Sequence, residues 1–249
     1  MSITFGFITE GKNDDLLRVG IQSIKQSGLV DYEIIVLGNT SLTDADIIFI
    51  AFDDSEKPGW ITKKKNLLAV EASKDVLVIM HDYLALGNTW NMKNTSFFHS
   101  DSWDVAVCRF ENLDGTRWCD WHLWPFNTRL LKIPFRITIG CLIPYNLNSL
   151  TNLMYVNGTV IIVKRDFFLS NPLDETKLWG QEEDVEWSIR LREDWKLVFA
   201  PDLFVKSLKL KLPVYHEINH MGLFLAKLMS CLIRVLPGNL SRLMKIPYK

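Results

Sequence analysis

Cysteine is scarce in this chain: Cys108, Cys119, Cys141 and Cys231 are the only four in 249 residues, and no two form a CxxC pair. That spacing gives neither a zinc site nor a disulfide framework, so the thiols are expected to be reduced, as in a cytosolic setting. No charge dominates either. Twenty-eight Lys and Arg face 29 Asp and Glu, a formal charge of −1, whereas a general nucleic-acid binder carries a basic surplus. Nucleic acid is therefore not an expected partner. No uninterrupted apolar run reaches the roughly 18 residues that cross a bilayer. The opening MSITFGFITEG lacks the basic region and apolar stretch of a secretory signal. Internal repeats and low-complexity linkers are missing too, which favours one main domain. The remainder is an ordinary globular balance, 48% hydrophobic and 23% charged, with nine tryptophans. Indole rings wall carbohydrate sites and also fill cores, and composition does not choose between these.

Taken in order, short apolar runs alternate with helical patterns. Strands are expected at Ile3 to Thr9, Tyr32 to Leu37, Asp46 to Phe52 and Asp75 to Met80, with helices at Asp15 to Ser27 and Trp60 to Ser73. Continuous apolar strands separated by helices indicate a mostly parallel sheet covered on both faces. Ligands of such sheets bind beyond the carboxyl ends of the strands. Thr9-Glu10, Asn39, Asp53-Asp54 and His81-Asp82 all fall at those ends. Further strands are expected at Trp103 to Phe110, Gly158 to Val163, Lys196 to Ala200 and Leu203 to Leu208, while residues 126 to 156 are apolar without clear periodicity.

LWGQEEDVEWSIRL, Leu178 to Leu191, carries the densest chemistry. Val185 and Ile189 are four apart, as are Trp187 and Leu191, so each pair shares a helix face. The loop narrowing at Trp179-Gly180 then places Asp184 in the first helical turn, beside Glu182 and Glu183. Acids in a first turn complement the helix dipole and cap free N–H groups. The same carboxylate can instead point out of the helix end into a cleft and act as a base. Three further features also have two readings. Lys63, Lys64 and Lys65 form a solvated helix face or meet phosphate. His81-Asp82-Tyr83 is a strand-end turn or a metal site. His216 and His220, four apart, are a surface pair or ligands on one helix face; HEINH is not read as a metalloprotease site.

An acidic strand end, a basic helix and a later acidic loop suit a nucleotide sugar with a divalent ion. The residues also resemble a known family. ITFGFITEGKNDDLLRVGIQSIKQS, YEIIVLGNTS and WITKKKNLLAVEASKDVLVIMHDYLAL resemble the nucleotide-binding half of GT-A-fold glycosyltransferases of the family 2 type, and the likeness covers about residues 3 to 216. NGTVIIVKRDFF followed by WGQEEDVEWSIRL is similar to their later half, including the Trp-Gly loop and Glu-Asp motif of galactosyl- and N-acetylgalactosaminyl-transferases. Two departures stand out. Gly38-Asn39 replaces the paired aspartates after the second strand, and His81-Asp82-Tyr83 replaces the metal-binding DXD.

The resemblance implies an α/β, GT-A (Rossmann-like) fold with a single mostly parallel central sheet, spanning residues 1–220. A basic amphipathic C-terminal helical tail follows over 221–249. It implies transfer of a sugar from a nucleotide sugar, a UDP-sugar first, to a hydroxyl of a glycan or lipid-linked acceptor. Inversion at the anomeric carbon is the expected course. Asp184 becomes the general base and Glu183 orients a sugar. Thr9, Glu10, Asn39, Asp53, Lys65, His81, Trp179 and Gly180 become donor contacts, and Asp82 with His216 holds Mn2+ or Mg2+. The altered DXD leaves open a catalytically silent nucleotide- or carbohydrate-binding relative. A sugar-nucleotide pyrophosphorylase is the other alternative, but TEGKNDD is a poor match to its Gly-rich, basic loop. From Met221 on there are basic residues and no acid, so the tail is expected either to dock on the domain or to touch an anionic membrane from the cytoplasm.

Overall fold

The computed structural model describes residues 2–123, 141–192, 194–212 and 216–235. Eight strands form one sheet: β1 (Ile3–Thr9), β2 (Tyr32–Gly38), β3 (Ile48–Ile50), β4 (Val76–His81), β5 (Leu84–Leu86), β6 (Val105–Glu111), β9 (Val160–Lys164) and β10 (Leu197–Ser207), in the order β3-β2-β1-β4-β9-β6-β10-β5. The first four positions are mutually parallel. Strand β9 enters antiparallel between β4 and β6, β10 runs parallel to β6, and β5 closes the edge antiparallel to β10. A separate small sheet joins β7 (His122–Leu123), β8 (Cys141–Leu142) and β11 (His216–Glu217).

Strands β1 and β4 are buried almost along their whole length because both faces are covered. Phe5 and Phe7 of β1 pack with Leu17, Ile21 and Ile24 of α1 (Asp14–Lys25). Ile8 packs on the opposite face with Leu68 of α2 (Ile61–Glu71). On that second face β1 and α2 approach so closely that any Cβ on Gly6 would run into the Leu68 side chain. Trp187 and Leu191 of α4 (Glu183–Leu191) and Phe168 of α3 (Arg165–Ser170) extend the same core. Burial of these rings is the dominant favourable term, about 25 cal/mol per Å2 of apolar surface removed from water.

Most tryptophans turn out to be core residues: Trp90, Trp103, Trp121, Trp187 and Trp195 are all buried, whereas Trp179 is 71% exposed. The third strand is shorter than its apolar run, because it is an edge strand pairing only with β2 and leaves Ile48 half exposed. The two strands expected around Pro201 are one strand whose register shifts between Ala200 and Phe204. Proline has no N–H to give to a ladder, so it is tolerated at such an irregularity. Helix α5 (His220–Val235) docks through its middle. Ala226 is buried in the core, and Ser230 Oγ lies within hydrogen-bond distance of Ser149 O and Asn152 Oδ1. No helix among the described residues is long and apolar enough to cross a membrane. The remainder of the tail, and residues 124–140, lie outside the described residues.

Candidate active site

A cleft of about 280 Å3 opens at the carboxyl ends of β1 and β4, lined among others by Thr9, Glu10, Lys12, Asn13, Asp54, Lys64, His81, Asp82, Tyr83, Trp179 and Lys211. Its floor is a hydrogen-bonded set. Thr9 Oγ1 donates to Asp82 Oδ2 at 2.8 Å, and Asn13 Nδ2 donates to Asp82 Oδ1 at 2.9 Å. Lys209 Nζ in turn donates to Asn13 Oδ1 at 2.6 Å. Lys64 Nζ is buried, donating to Thr9 O and pairing with Asp54 at 2.7 Å. Lys12 pairs with Glu10 at 2.8 Å on the rim, and this ion pair lowers the Glu10 pKa. His81 N donates to Thr159 O at 3.3 Å; burial of the His81 ring, with Lys65, Lys211 and Lys64 around it, holds its pKa well below the ordinary value. His81 is therefore neutral at physiological pH. Burial pushes Tyr83 up to about 12.

Behind His81 lies the acidic pair. Glu182 is the N-cap of α4 and has a left-handed backbone, φ 58°. Asp184 Oδ1 accepts from Val185 N at 2.9 Å, as a first-turn cap does, but Oδ2 reaches across the helix end to Gly158 N at 2.7 Å. This carboxylate therefore caps the helix end and bonds the Gly158 main chain, and it stands behind the cleft wall rather than on it. Lys65 is fully buried, its Nζ 3.7 Å from Glu183 Oε1 and without a hydrogen-bond partner. Burial lowers the Lys65 pKa and raises that of Glu183, while their mutual attraction opposes both shifts. Gly158 is the keystone, because a Cβ there would lie 3.0 Å from Lys65 Nζ and 3.1 Å from Asp184 Oδ2.

Of the residues expected at the site, Thr9, Glu10, His81, Asp82 and Trp179 line the cleft, whereas Gly180 lies beside its wall. Glu183, Asp184 and Lys65 form the group behind it. Asn39 and Asp53 are exposed and do not line the cleft, Asp53 being used to cap Ser55 N at 2.9 Å. His216 is exposed on the three-stranded sheet and is absent from the cleft wall. It sits in a strand while His220 opens α5, so the two histidines share no helix face, and the His-Glu-x-x-His spacing makes no zinc site. Lys64 rather than Lys65 lines the cleft. Asp54 and Tyr83, from the Asp53-Asp54 and His81-Asp82-Tyr83 strand ends, line it as well, whereas Asn13 and Lys211 join it unannounced by any strand-end motif, although the Lys209-Leu-Lys211 repeat just after β10 was a usable signal.

Among the described residues the cleft offers a divalent cation few protein ligands. Mn2+ and Mg2+ take several oxygen ligands; of the cleft carboxylates, Glu10 and Asp54 are paired to Lys12 and Lys64, and each oxygen of Asp82 accepts one hydrogen bond, from Asn13 or Thr9. No group of three or more His, Cys, Asp and Glu that could hold a metal occurs among the described residues. Outside them, Glu193 is the only residue of those four types. Asp82 lines the cleft while His216 does not, so the expected pair is not brought together on its wall.

No family model and no curated protein sequence matches the chain. Solved structures do. GalNAc-T7, in a crystal structure with UDP, GalNAc and Mn2+, has a TM-score of 0.62 at 14% identity, covering 86% of this chain and 44% of that one. TarS 1-349 of S. aureus has a TM-score of 0.55 at 11% identity, over 97% of this chain and 68% of that one. The mannosyltransferase PcManGT from Pyrobaculum calidifontis, in complex with GDP-Man and Mn2+, has a TM-score of 0.52 at 12% identity, over 83% and 56%. The chain spans less than half the length of the GalNAc-T7 chain and of a longer TarS chain, 44% and 41%. At these identities the likeness establishes the fold, and the fold is GT-A.

Proposed function

We propose that the chain is a glycosyltransferase that moves a sugar from a nucleotide sugar, a UDP-sugar in the first instance, to the hydroxyl of a glycan or lipid-linked acceptor. The observation that carries this reading is the placement of Asp184. Its outward oxygen accepts from Gly158 N, and the carbonyl of the next residue, Thr159, accepts from His81 N on the cleft wall. A donor lying over Thr9 and Asp82 would bring its anomeric carbon toward that carboxylate. Asp184 takes the acceptor proton as the hydroxyl oxygen bonds to the anomeric carbon. The bond from that carbon to the diphosphate breaks on the opposite side, its electron pair leaving with the nucleoside diphosphate, so the centre inverts. Glu183, buried and paired to Lys65, fixes the start of α4 and with it the angle of Asp184. Trp179, exposed at the cleft edge, offers an aromatic face to a sugar ring.

Membrane contact through α5 belongs to the same reading, from the cytoplasmic side. Met221, Phe224 and Leu228 are exposed and spaced along one helix face, with exposed Lys227 among them. Sedimentation with anionic vesicles should be lost in Phe224→Ser/Leu228→Ser, and retention would remove the membrane from the account. The transferase reading is tested by nucleoside diphosphate release from UDP-glucose, UDP-galactose, UDP-N-acetylglucosamine and GDP-mannose, in wild type and Asp184→Asn. Release by wild type alone supports it. A donor that binds and is never consumed would mark a silent binder.

A further inference from the structure

We propose that the donor's diphosphate is held by lysine, with Lys211 as its principal contact and Lys209 behind it, in place of a divalent ion. The inference rests on the nucleotide-sugar reading of the cleft and concerns how the charge of that ligand is offset there. A diphosphate needs cationic partners when it leaves water. Of the three ammonium groups on the cleft wall, Lys12 and Lys64 are committed to Glu10 and Asp54. Lys211 has no carboxylate within ion-pair distance among the described residues.

Its position is built rather than incidental. Buried Asn112 clamps the Lys211 backbone from both sides, accepting from Lys211 N at 2.8 Å and donating to Lys211 O at 2.7 Å. One residue on, Trp118 Nε1 donates to Leu212 O, and Leu208 N is held by Tyr83 O. The ammonium itself rests 3.9 Å from the centre of the Tyr83 ring, with Lys209 Nζ at 5.3 Å from the same ring. A cation–π contact places the charge without neutralising it, so Lys211 arrives in the cleft oriented and still available to an anion. Asp82 has a different task in this arrangement: through Asn13 it fixes Lys209.

The test is calorimetric titration of the full chain with UDP and with GDP, each in EDTA and in Mn2+. One nucleotide should bind with the same affinity in both buffers. Lys211→Met should weaken that binding about tenfold or more, the loss of one charge-assisted contact, and Lys211→Arg should restore most of it. Circular dichroism and the melting temperature of each variant report folding separately. Binding that disappears in EDTA and returns with Mn2+ overturns the lysine assignment and leaves the transferase reading standing. Full affinity in a folded Lys211→Met also overturns it. Failure of both nucleotides to bind in either buffer refutes the lysine assignment together with the nucleotide-site reading.

Discussion

Replacing Lys65 by Met should destabilise the protein in a pH-dependent way that follows from the burial of Glu183. Lys65 Nζ is fully buried, 3.7 Å from Glu183 Oε1, and Glu183 is only 6% exposed. Removing one partner of a buried pair leaves the other charge uncompensated, which typically costs about 3–5 kcal/mol. Glu183 can escape by taking a proton, and that sets a ceiling. Its unfolded pKa is 4.5 and burial raises the folded value. An acid whose folded pKa is raised stabilises the fold below its unfolded pKa and loses that stability as pH rises. Keeping Glu183 neutral therefore costs at most about 1.4 kcal/mol per pH unit above 4.5: about 0.7 kcal/mol at pH 5 and about 5 kcal/mol at pH 8. Urea denaturation of wild type and Lys65→Met at both pH values measures the difference. The expected loss is under about 1 kcal/mol at pH 5 and about 3–5 kcal/mol at pH 8. Lys65→Met/Glu183→Gln should recover most of it, since no lone buried charge remains. A pH-independent loss, or a double variant worse than the single one, would refute the electrostatic account of this pair.

Three other substitutions probe the site. Asp184→Asn should lower turnover about 10^2–10^4-fold with donor affinity unchanged; wild-type turnover would remove the base from Asp184. Its stability should fall by about 1 kcal/mol, because an amide NH2 cannot accept one of the two N–H bonds the carboxylate accepts. Gly158→Ala puts a methyl 3.0–3.1 Å from Lys65 Nζ and Asp184, for an expected stability loss of about 1–3 kcal/mol. Turnover should drop more than donor affinity, and an unchanged rate would show that Asp184 need not be held there. Trp179→Ala, at a 71% exposed position, should shift stability by no more than about 0.5 kcal/mol while weakening sugar binding. Unaltered saturation by both substrates would take the indole out of the site.

The sheet was legible because its strands are continuous apolar runs and the helices between them keep their own period. The ends of β1 and β4 located the cleft, and Thr9, Glu10, His81 and Asp82 followed from that, while Trp179 followed from the Trp-Gly loop. Single-residue choices did not follow. Lys64 and Lys65 are adjacent in sequence, yet a helix turns about 100° per residue, so one faces the cleft and the other the core. Beyond the three-residue β3 the chain is irregular, and Asp54, drawn in by Lys64, takes the place expected for Asp53. Lys211 owes its position to Asn112, 99 residues away, a clamp that no local pattern reveals. The expected ligand pair came apart for a related reason. Asp82 and His216 both read as ligands in sequence, and only in three dimensions is His216 seen on the three-stranded sheet, off the cleft wall.

The central claim is that the cleft holds a nucleotide sugar with its anomeric carbon turned toward Asp184. A crystal structure of Asp184→Asn soaked with the intact donor identified in the release assay tests it most directly. The account predicts the diphosphate between Thr9 and Lys211, and the anomeric carbon facing residue 184 with room for one acceptor hydroxyl between them. A donor bound elsewhere, or bound here with its sugar directed away from residue 184, would contradict it.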